Sequence, residues 1–375
     1  MSPVRKLLIV GGGIGGLAAA IAARRAGVEV DLVEIQREFK VYHVGIIVQG
    51  NCIRAMAALG IAKDAIAAGY PQSGLLFQDL HGHTLTDIPG IPLAGPGCPT
   101  DLGMGRPALH GVLVTAARRL EAHLRPGVTF TELAQSDAHV DVKFSDGTSG
   151  RYDMVVGADG IHSNVRAALF GNSVKPQFTG QGVWRYNIPR PPQLTRAMMC
   201  IGLEGGKCGA VPLTQTTAYV LLVQAEPGNP RHPPEKLAEI FRSRLATCTG
   251  LMAEMRDQIV DSSLVVYRPL HAVILPAPWY RVRVLLIGDA AHATTPHLGQ
   301  GAAQAVEDAV VLGDLLARGE SPPQLMQSYM QRRYERCRLI AESSVQIGEW
   351  EQRPTPDADP MGLTKKMLQI VAAPI

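Results

Sequence analysis

The chain has 375 residues, of which 46% are hydrophobic and 18% are charged. This balance is typical of a globular protein with a large core and excludes a disordered chain. The net charge of +3 is spread over the sequence, and no segment approaches a transmembrane span, so we expect neither a nucleic-acid stripe nor membrane binding. The six cysteines include no C-x-x-C pair, which predicts no metal site and suits a reducing cytoplasm.

The N-terminal segment has the pattern of a strand, a glycine turn, a helix and a second strand. Residues 5–10 predict a buried strand, 17–26 a helix, and 28–34 another strand that ends on an acid. Glycines in the G-x-G-x-x-G turn let the backbone approach a pyrophosphate at the helix N-terminus, and the acid can bind a ribose diol. We therefore predict a dinucleotide site at Gly11, Gly13, Ile14, Gly15, Gly16, Glu34 and Ile35.

The rest of the chain divides into helical, alternating and turn-rich segments. Before residue 158 we expect a helix over 53–68, turns and short strands over 71–105, a helix over 107–123, strands over 128–134 and 138–144 with a turn at 145–147, and a buried strand over 153–157. Short alternating strands are expected over 175–280, interrupted by a helix at 235–256. A buried strand over 283–287, a loop over 288–301, and helices over 302–316 and much of 322–349 follow.

Two further stretches accompany the glycine motif. They are DMVVGADGIHSNVR, which starts at Asp153, and GDAAHATTP, which starts at Gly288. With these three motifs in this order, the sequence resembles the para-hydroxybenzoate hydroxylase-like (group A) flavoprotein monooxygenases over most of residues 7–316. The resemblance implies FAD as the cofactor.

The resemblance also implies a mixed α/β fold. We expect a Rossmann-type FAD-binding domain with a three-layer ββα arrangement and an inserted, mostly antiparallel sheet that binds substrate. The FAD-binding domain would comprise 1–72, 98–174 and 281–349, and the substrate sheet 73–97 and 175–280, with a C-terminal tail at 350–375.

The resemblance assigns further residues to the cofactor. Asp289 would meet the ribityl hydroxyls, although it could instead cap a helix. Arg106 would meet the flavin side chain or the pyrophosphate, although it could be a surface charge. For Asp159 and for Arg166, a role in binding the cofactor and a structural role are equally compatible with the sequence. The loop that begins at Pro296 would present backbone N–H groups to the flavin edge. The contacts implied in this part of the chain are Gly45, Arg106, Asp159, Gly288, Asp289, Pro296, Gly299, Gln300, Gly301 and Ala302.

The substrate side has no motif, and no catalytic residue is assigned firmly. The candidates are Pro296, His297 and Arg185. His297 could instead be structural, and Arg185 could pair with a carboxylate or phenolate of the substrate. Trp184, the neighbour of Arg185, could also line the pocket. A positive balance formed by Arg185, Arg190, Arg196 and Lys207 favours an anionic aromatic substrate. Gln49-Gly50-Asn51 replaces a Pro-Asn turn of many relatives, which leaves flavin mobility and pocket shape open.

The resemblance implies an FAD-dependent monooxygenase of the EC 1.14.13 type. NADH or NADPH would reduce FAD, and O2 would form a flavin C4a-hydroperoxide that hydroxylates a small aromatic or heteroaromatic substrate. The alternatives are a reductase, a non-catalytic FAD-binding redox sensor, or a halogenase, because residues 184–189 are similar to a halogenase W-x-W-x-I-P stretch, although no lysine can be assigned between flavin and substrate. We expect a cytoplasmic monomer or homodimer.

Overall fold

The structure is a computed structural model, and it describes residues 3–39, 41, 43–171 and 173–375. In these residues the α-helices are α1 Ile14–Arg25, α2 Gly50–Ala58, α3 Ala62–Ala68, α4 Arg106–Arg119, α5 Asn164–Phe170, α6 Leu237–Arg244, α7 Gly250–Arg256, α8 Asp289–His292, α9 Gly301–Ala317, α10 Pro322–Gln352 and α11 Pro360–Ala372. Among the helices so described, none combines the length and the apolar character that crossing a membrane requires.

The β-strands of the described residues are β1 Lys6–Val10, β2 Glu29–Glu34, β3 Gly45–Gln49, β4 Tyr70–Gln72, β5 Leu75–Gln78, β6 Thr84–Ile88, β7 Asp101–Gly105, β8 His123–Pro126, β9 Phe130–Gln135, β10 Val140–Phe144, β11 Ser149–Tyr152, β12 Met154–Gly157, β13 Gln177–Pro189, β14 Ala197–Leu203, β15 Gly206–Pro212, β16 Thr217–Ala225, β17 Val266–Ile274, β18 Tyr280–Arg281 and β19 Val284–Leu286.

A six-stranded sheet with the order β18-β19-β12-β1-β2-β8 forms the nucleotide-binding half. Every pair in it is parallel except β18 with β19. Strands covered on both faces read as continuous apolar runs, and residues 7–10 of β1 are accordingly all buried. Helix α1 packs against both α4 and α9 beside this sheet. The carboxyl ends of β1, β2 and β19 therefore meet at one edge, where the motifs begin.

A seven-stranded sheet with the order β17-β13-β16-β15-β14-β5-β6 forms the other half. Its pairs are antiparallel except β14 with β5. Side chains alternate across a strand, so the sheet has two different faces. Trp184, Tyr186 and Leu222 lie on the face that packs on α6 and α7. Val183, Tyr219 and Leu221 lie on the opposite face, which looks towards the cofactor half.

Two three-stranded antiparallel sheets complete the fold. Their orders are β3-β7-β4 and β11-β10-β9. The first lies beside the large sheet, because the Cα of Gly103 in β7 approaches the backbone of Pro212 in β15 so closely that an added Cβ would lie 1.8 Å from the Pro212 carbonyl oxygen. The predicted mixed α/β fold with an added, mostly antiparallel sheet is confirmed.

Several predicted elements differ in detail. The single helix predicted over 53–68 is two helices, α2 and α3, because Gly60 between them has φ +76°. The helix predicted over 235–256 is likewise α6 and α7, separated by residues 245–249. A third strand, β11, follows the predicted turn at 145–147, and residues 322–352 form one continuous helix. The segment 350–375, expected to be a tail, contains α11, which packs on α10 and α2.

Candidate active site

One cavity of about 580 Å³ lies between the two large sheets. One part of its wall comes from the glycine turn after β1, the start of α4 and residues 287–302, and another from the inner face of the seven-stranded sheet. Helix α11 contributes Met361, Thr364 and Leu368. The cavity therefore joins the predicted cofactor motifs to the predicted substrate sheet in one continuous space.

The glycine turn is tight, and at two of its glycines, Gly11 and Gly16, the backbone leaves no room for a side chain. Gly11 has φ +111°, and a Cβ there would lie 2.4 Å from the Ala158 carbonyl oxygen. A Cβ at Gly16 would lie 1.9 Å from the Gly11 carbonyl oxygen. A Cβ at Gly13, in contrast, would meet nothing within 4 Å. Gly11 and Gly16 thus shape the turn, while Gly13 keeps its outer surface open to a ligand.

The N-terminus of α1 is free to bind an anion. Its N-cap residue Gly13 makes no side-chain cap, and its first turn has no acidic residue. Unpaired N–H groups and the helix dipole favour a phosphate at such an end. Glu34, at the end of β2, accepts hydrogen bonds from the N–H groups of Gly12 at 2.7 Å and Gln36 at 2.8 Å. Its carboxylate is thereby fixed beside the turn, with Ile35 exposed next to it.

Arg106 and Asp289 face the cavity without protein partners. Arg106 begins α4, and its Nε is buried with no hydrogen bond among the described residues. Asp289 begins α8, and the structure gives its carboxylate no hydrogen bond. Burial raises the pKa of the Asp289 carboxyl group, and the positive charges of His292 and Arg106 act in the opposite direction. These two residues carry the unsatisfied polar groups that a bound nucleotide would need.

A buried network of charges lies behind Gly288 and Asp289. The Asp308 carboxylate accepts from Gly288 N–H at 2.8 Å and contacts His292 Nε2 at 2.7 Å. Burial would raise the pKa of Asp308, but the neighbouring cations lower it below its ordinary value. His292, Asp308 and Cys337 could by spacing hold a metal. Arg333 Nε donates to Asp308 at 2.7 Å, and Arg333 Nη2 lies 3.2 Å from Cys337 Sγ. Arg333 therefore already contacts Asp308 and Cys337, and Asp308 already contacts His292.

The loop after Pro296 leads into α9. Residues 296–298 form a 3₁₀ turn, and Gly299 takes the left-handed conformation with φ +65°. The first turn of α9 has no acidic residue and no side-chain cap. Backbone N–H groups at Gly301 and Ala302 therefore border the cavity beside Pro296, as the resemblance implies for a flavin edge.

Polar residues of the unusual Gln49-Gly50-Asn51 turn anchor this loop. Gln49 Nε2 donates to the Leu298 carbonyl at 2.9 Å, and Gln49 Oε1 accepts from Gln300 Nε2. Asn51 Nδ2 donates to Gln300 Oε1 at 3.0 Å and to Glu307 Oε1 at 2.9 Å. The side chain of Gln300, which was predicted to contact the cofactor, therefore hydrogen-bonds Gln49 and Asn51 and holds the loop. Gln49 and Asn51, at the position of the Pro-Asn turn of many relatives, fix this loop through polar side chains.

The Trp184–Arg185 pair is split between the two faces of β13. The Trp184 side chain is fully buried on the outer face and donates from Nε1 to Glu226 at 3.0 Å, so the expectation that it could line the pocket is wrong. Arg185 lines the cavity beside Tyr219 and makes no hydrogen bond among the described residues. Burial, together with repulsion from Arg106, lowers the pKa of Arg185 to about 10. It remains charged at neutral pH.

His297, Glu351 and Lys207 form an ionic network at the cavity edge. Glu351 contacts Lys207 Nζ at 2.8 Å and His297 Nε2 at 3.1 Å. His297 Nδ1 lies 2.8 Å from the Thr295 hydroxyl. Burial would raise the pKa of Glu351, but Lys207 and His297 lower it to about 2. An ionised carboxylate only accepts, so His297 donates from Nε2 and accepts at Nδ1 from Thr295.

His297 is therefore held inside the protein. Its side chain has 0% exposure, although its backbone borders the cavity. Burial and Lys207 lower the pKa of His297, which keeps the ring neutral. Lys207 also lines the cavity, where Glu351 pairs with it. Sequence reasoning missed Glu351, for which no motif exists, and Tyr219, which the alternation of Tyr219, Leu221 and Val223 along β16 could have indicated.

Asp159 and Arg166 lie beside the cleft with their side chains satisfied internally. Asp159 accepts from the Ser163 hydroxyl at 2.5 Å and from the N–H groups of Asn164 and Val165. Arg166 donates to the carbonyls of Ala290 at 2.9 Å and Ile161 at 2.7 Å. Both side chains stabilise the loop between β12 and α5. Gly45 borders the cavity, and an added Cβ at this position would lie 2.0 Å from the Tyr219 ring.

The residues present fit FAD. A buried guanidinium nitrogen without a partner, a carboxylate without a partner, a turn of side-chain-free backbone and two open helix N-termini surround one elongated space. Arg106 and the α1 N-terminus match a pyrophosphate, and Asp289 matches sugar-alcohol hydroxyls. Residues 296–302 match the flavin edge.

Comparisons with known proteins agree with this geometry. A family model described as "FAD binding domain" matches residues 5–344. The chain is 30% identical to 2-heptyl-3-hydroxy-4(1H)-quinolone synthase of Pseudomonas aeruginosa, over 92% of this chain and 90% of that protein. It is 29% identical to 3-hydroxybenzoate 6-hydroxylase 1 of Aquipseudomonas alcaligenes, over 89% and 86%. Klebsiella pneumoniae HpxO complexed with FAD and uric acid superimposes with a TM-score of 0.85 at 25% identity, covering 98% of this chain and 92% of that chain.

Besides the 3-hydroxybenzoate 6-hydroxylase, the proteins similar to this chain include one named FAD-dependent urate hydroxylase and one named 3-amino-4-hydroxybenzoate 2-monooxygenase. The prediction of an FAD-dependent oxidoreductase is thus confirmed, and the idea of a passive redox sensor finds no support. The chain belongs to the para-hydroxybenzoate hydroxylase-like family of FAD-dependent monooxygenases.

Proposed function

We propose that this chain uses NADH or NADPH and O2 to hydroxylate an aromatic or heteroaromatic ring. One observation carries the proposal: the unpartnered Arg106 and Asp289 open into the same cavity as the apolar inner face of the seven-stranded sheet. Cofactor and substrate would then share one cavity, as transfer of an oxygen atom requires.

FAD, held by Arg106, Asp289 and residues 296–302, would supply the redox chemistry by taking electrons from the nicotinamide and activating O2 for transfer of one oxygen atom to the ring. The overall reaction balances as aromatic C–H, NAD(P)H, H⁺ and O2 giving aromatic C–OH, NAD(P)⁺ and water.

The protein contributes binding, orientation and exclusion of water. The N-terminus of α9 places N–H groups at the edge where charge would develop on a reduced flavin. Arg185 supplies a positive charge and Tyr219 a hydroxyl to a polar atom of the substrate. Apolar side chains of β14 and β16, among them Met199 and Leu221, keep the surrounding space dry.

The test uses purified holoenzyme and a panel of hydroxybenzoates, purines and quinolones. We expect at least one compound to accelerate NADH or NADPH oxidation and to gain one oxygen atom from isotopically labelled O2. Unlabelled products from every accelerating compound would disprove hydroxylation. A product that forms only with chloride or bromide would instead favour a halogenase.

We further infer a cytoplasmic enzyme that is a monomer or a homodimer. The described structure contains six free cysteines, five of them buried, and unpaired thiols suit a reducing compartment. Sedimentation analysis of the holoenzyme would decide between the two oligomeric states.

A further inference from the structure

Most side chains on the inner face of the seven-stranded sheet are apolar, and the polar ones that line the cavity are Arg185, Lys207, Tyr219 and Arg268. Strand alternation brings one side chain in two to this face, and those that line the cavity are Leu75, Phe77, Val183, Ala197, Met199, Ile201, Leu221, Val223 and Leu270. Such a continuous wall exceeds what a compact polar ring needs for contact. It favours a ligand with extended apolar surface.

The charged groups on this face are few and unevenly placed. Lys207 lines the cavity, but Glu351 neutralises it at 2.8 Å. Arg190 donates to backbone carbonyls, and Arg196 pairs with Asp87 away from the cavity. Arg268 also lines the cavity and donates from Nη1 to the Tyr267 carbonyl at 2.9 Å. Arg185 makes no hydrogen bond or ion pair among the described residues, and its electrostatic neighbour is Arg106, at the cofactor end.

Helix α11 extends the apolar wall. Met361 and Leu368 pack against the inner face of the sheet and line the cavity. The helix is fixed, because Arg54 Nη1 donates to the Ala372 carbonyl at 2.8 Å and Arg336 Nη1 to the Ile370 carbonyl at 2.8 Å. Towards solvent, the wall continues through Ile88, Pro89, Ile91 and Leu93.

Resting on the proposed function, we propose that the substrate is a ring that carries a neutral, apolar chain of several carbon atoms. The polar atom of the ring meets Arg185 and Tyr219 near the cofactor, while the chain lies against the sheet and against Met361 and Leu368 of α11. Arg185, which no described residue hydrogen-bonds, supplies a polar contact point, and the apolar side chains around it fit an alkyl substituent. This proposal replaces the anionic aromatic substrate favoured by the sequence with a substrate that has one polar end and one apolar end.

The first experiment measures binding and turnover separately. Two series, 2-alkyl-4(1H)-quinolones and 4-alkylphenols with one to seven chain carbons, are titrated into the holoenzyme while the flavin absorbance is followed. Burial of each methylene contributes about 0.8 kcal/mol, so the dissociation constant should fall roughly twofold to fourfold for each added carbon until the chain reaches α11.

Dissociation constants that do not depend on chain length would overturn the inference, as would preferential binding of compact 3-hydroxybenzoate or no binding in either series. Chain-length-dependent binding without oxygen transfer would leave the inference standing and disprove the proposed function. The two failures are therefore distinguishable.

The second experiment changes the α11 wall. Leu368→Gln should raise the dissociation constant of the longest bound compound about fivefold to tenfold, since the apolar contact of roughly two methylenes is lost, and leave the one-carbon compound within about twofold. Met361→Gln, at the same wall, should act in the same way. Lys366→Gln, on the exposed side of α11, is the matched control. An equal loss for long and short compounds in both wall variants would contradict a chain-binding role.

Discussion

At the scale of residues, the site depends on two arginines that lack carboxylate partners. Neither Arg106 nor Arg185 makes a side-chain hydrogen bond among the described residues, and their mutual repulsion helps to lower the pKa of Arg185. Burying a charge without a partner is unfavourable. The fold therefore keeps these two positions ready for negative or polar groups from outside the chain.

The cofactor role of Arg106 predicts weaker FAD binding when its charge is removed. A hydrogen bond to a charged group contributes about 1.5–3 kcal/mol, so Arg106→Ala should raise the dissociation constant of FAD about 10-fold to 100-fold. Fluorescence titration of FAD into the apoprotein measures this constant. Arg118→Ala, at the exposed end of the same helix, should leave it unchanged; equal effects of both substitutions would refute the assignment.

The ionic network predicts a pH-dependent contribution of Glu351 to stability. Its folded pKa of about 2 lies below its ordinary value of 4.5, so the contribution is complete above about pH 5 and is lost as the pH falls towards 2. Glu351→Gln leaves Lys207 without its partner and should lower the free energy of unfolding by about 2–4 kcal/mol at pH 7.

Urea unfolding of both proteins between pH 3 and pH 7 checks the dependence. The difference between wild type and Glu351→Gln should shrink as the pH falls. A difference that stays constant across this range would show that Glu351 acts by packing rather than by charge.

At the scale of elements, the turn between β1 and α1 separates two tasks among its glycines. An added Cβ at Gly16 would overlap the Gly11 carbonyl, whereas one at Gly13 would meet open space. Gly16→Ala should therefore destabilise the fold by about 1–3 kcal/mol. Gly13→Ala should retain stability but weaken FAD binding, because its methyl group occupies the ligand's approach.

Thermal unfolding of both apoproteins, followed by FAD titration of the folded one, tests this separation. A stable Gly16→Ala protein with unchanged FAD affinity would show that the turn adjusts more readily than its contacts indicate. Loss of stability in Gly13→Ala would place that glycine among the structural ones.

Local signals located the elements well where each signal lies within one element. The glycine motif and the apolar runs predicted β1, α1 and β2 to within about three residues. The break between α2 and α3 was missed because a glycine such as Gly60 is often tolerated inside a helix, and only its positive φ shows that the chain turns there.

At the scale of the whole molecule, the cofactor half of the site was predictable and the substrate half was not. Gly11, Arg106, Asp289 and the loop after Pro296 are each marked by a local motif. The inner sheet face collects single residues such as Tyr219 from several strands, and Glu351 and Leu368 reach the cavity only because α10 and α11 fold back on it. Such tertiary neighbours leave no pattern in a single sequence.

Because distant segments meet at the cleft, FAD should stabilise the whole protein. A ligand that binds only the folded state adds about 2.7 kcal/mol at one hundred times its dissociation constant. The melting temperature should therefore rise continuously with added FAD, which scanning fluorimetry at fixed protein concentration would follow. A melting temperature that does not respond to saturating FAD would mean that FAD does not bind the folded protein in preference to the unfolded chain.

The two-faced sheet also affects how the enzyme can evolve. Neighbouring residues along β14 and β16 belong to different tasks: Met199 and Leu221 face the cavity, while Cys200 and Leu222 face the packed helices. Random changes at the first pair would mostly alter which compounds fit, whereas changes at the second pair would mostly unfold the protein. Substrate specificity can therefore change through one face of a strand while the other face maintains the fold. The cavity-facing positions of this sheet are accordingly the positions to randomise in directed evolution.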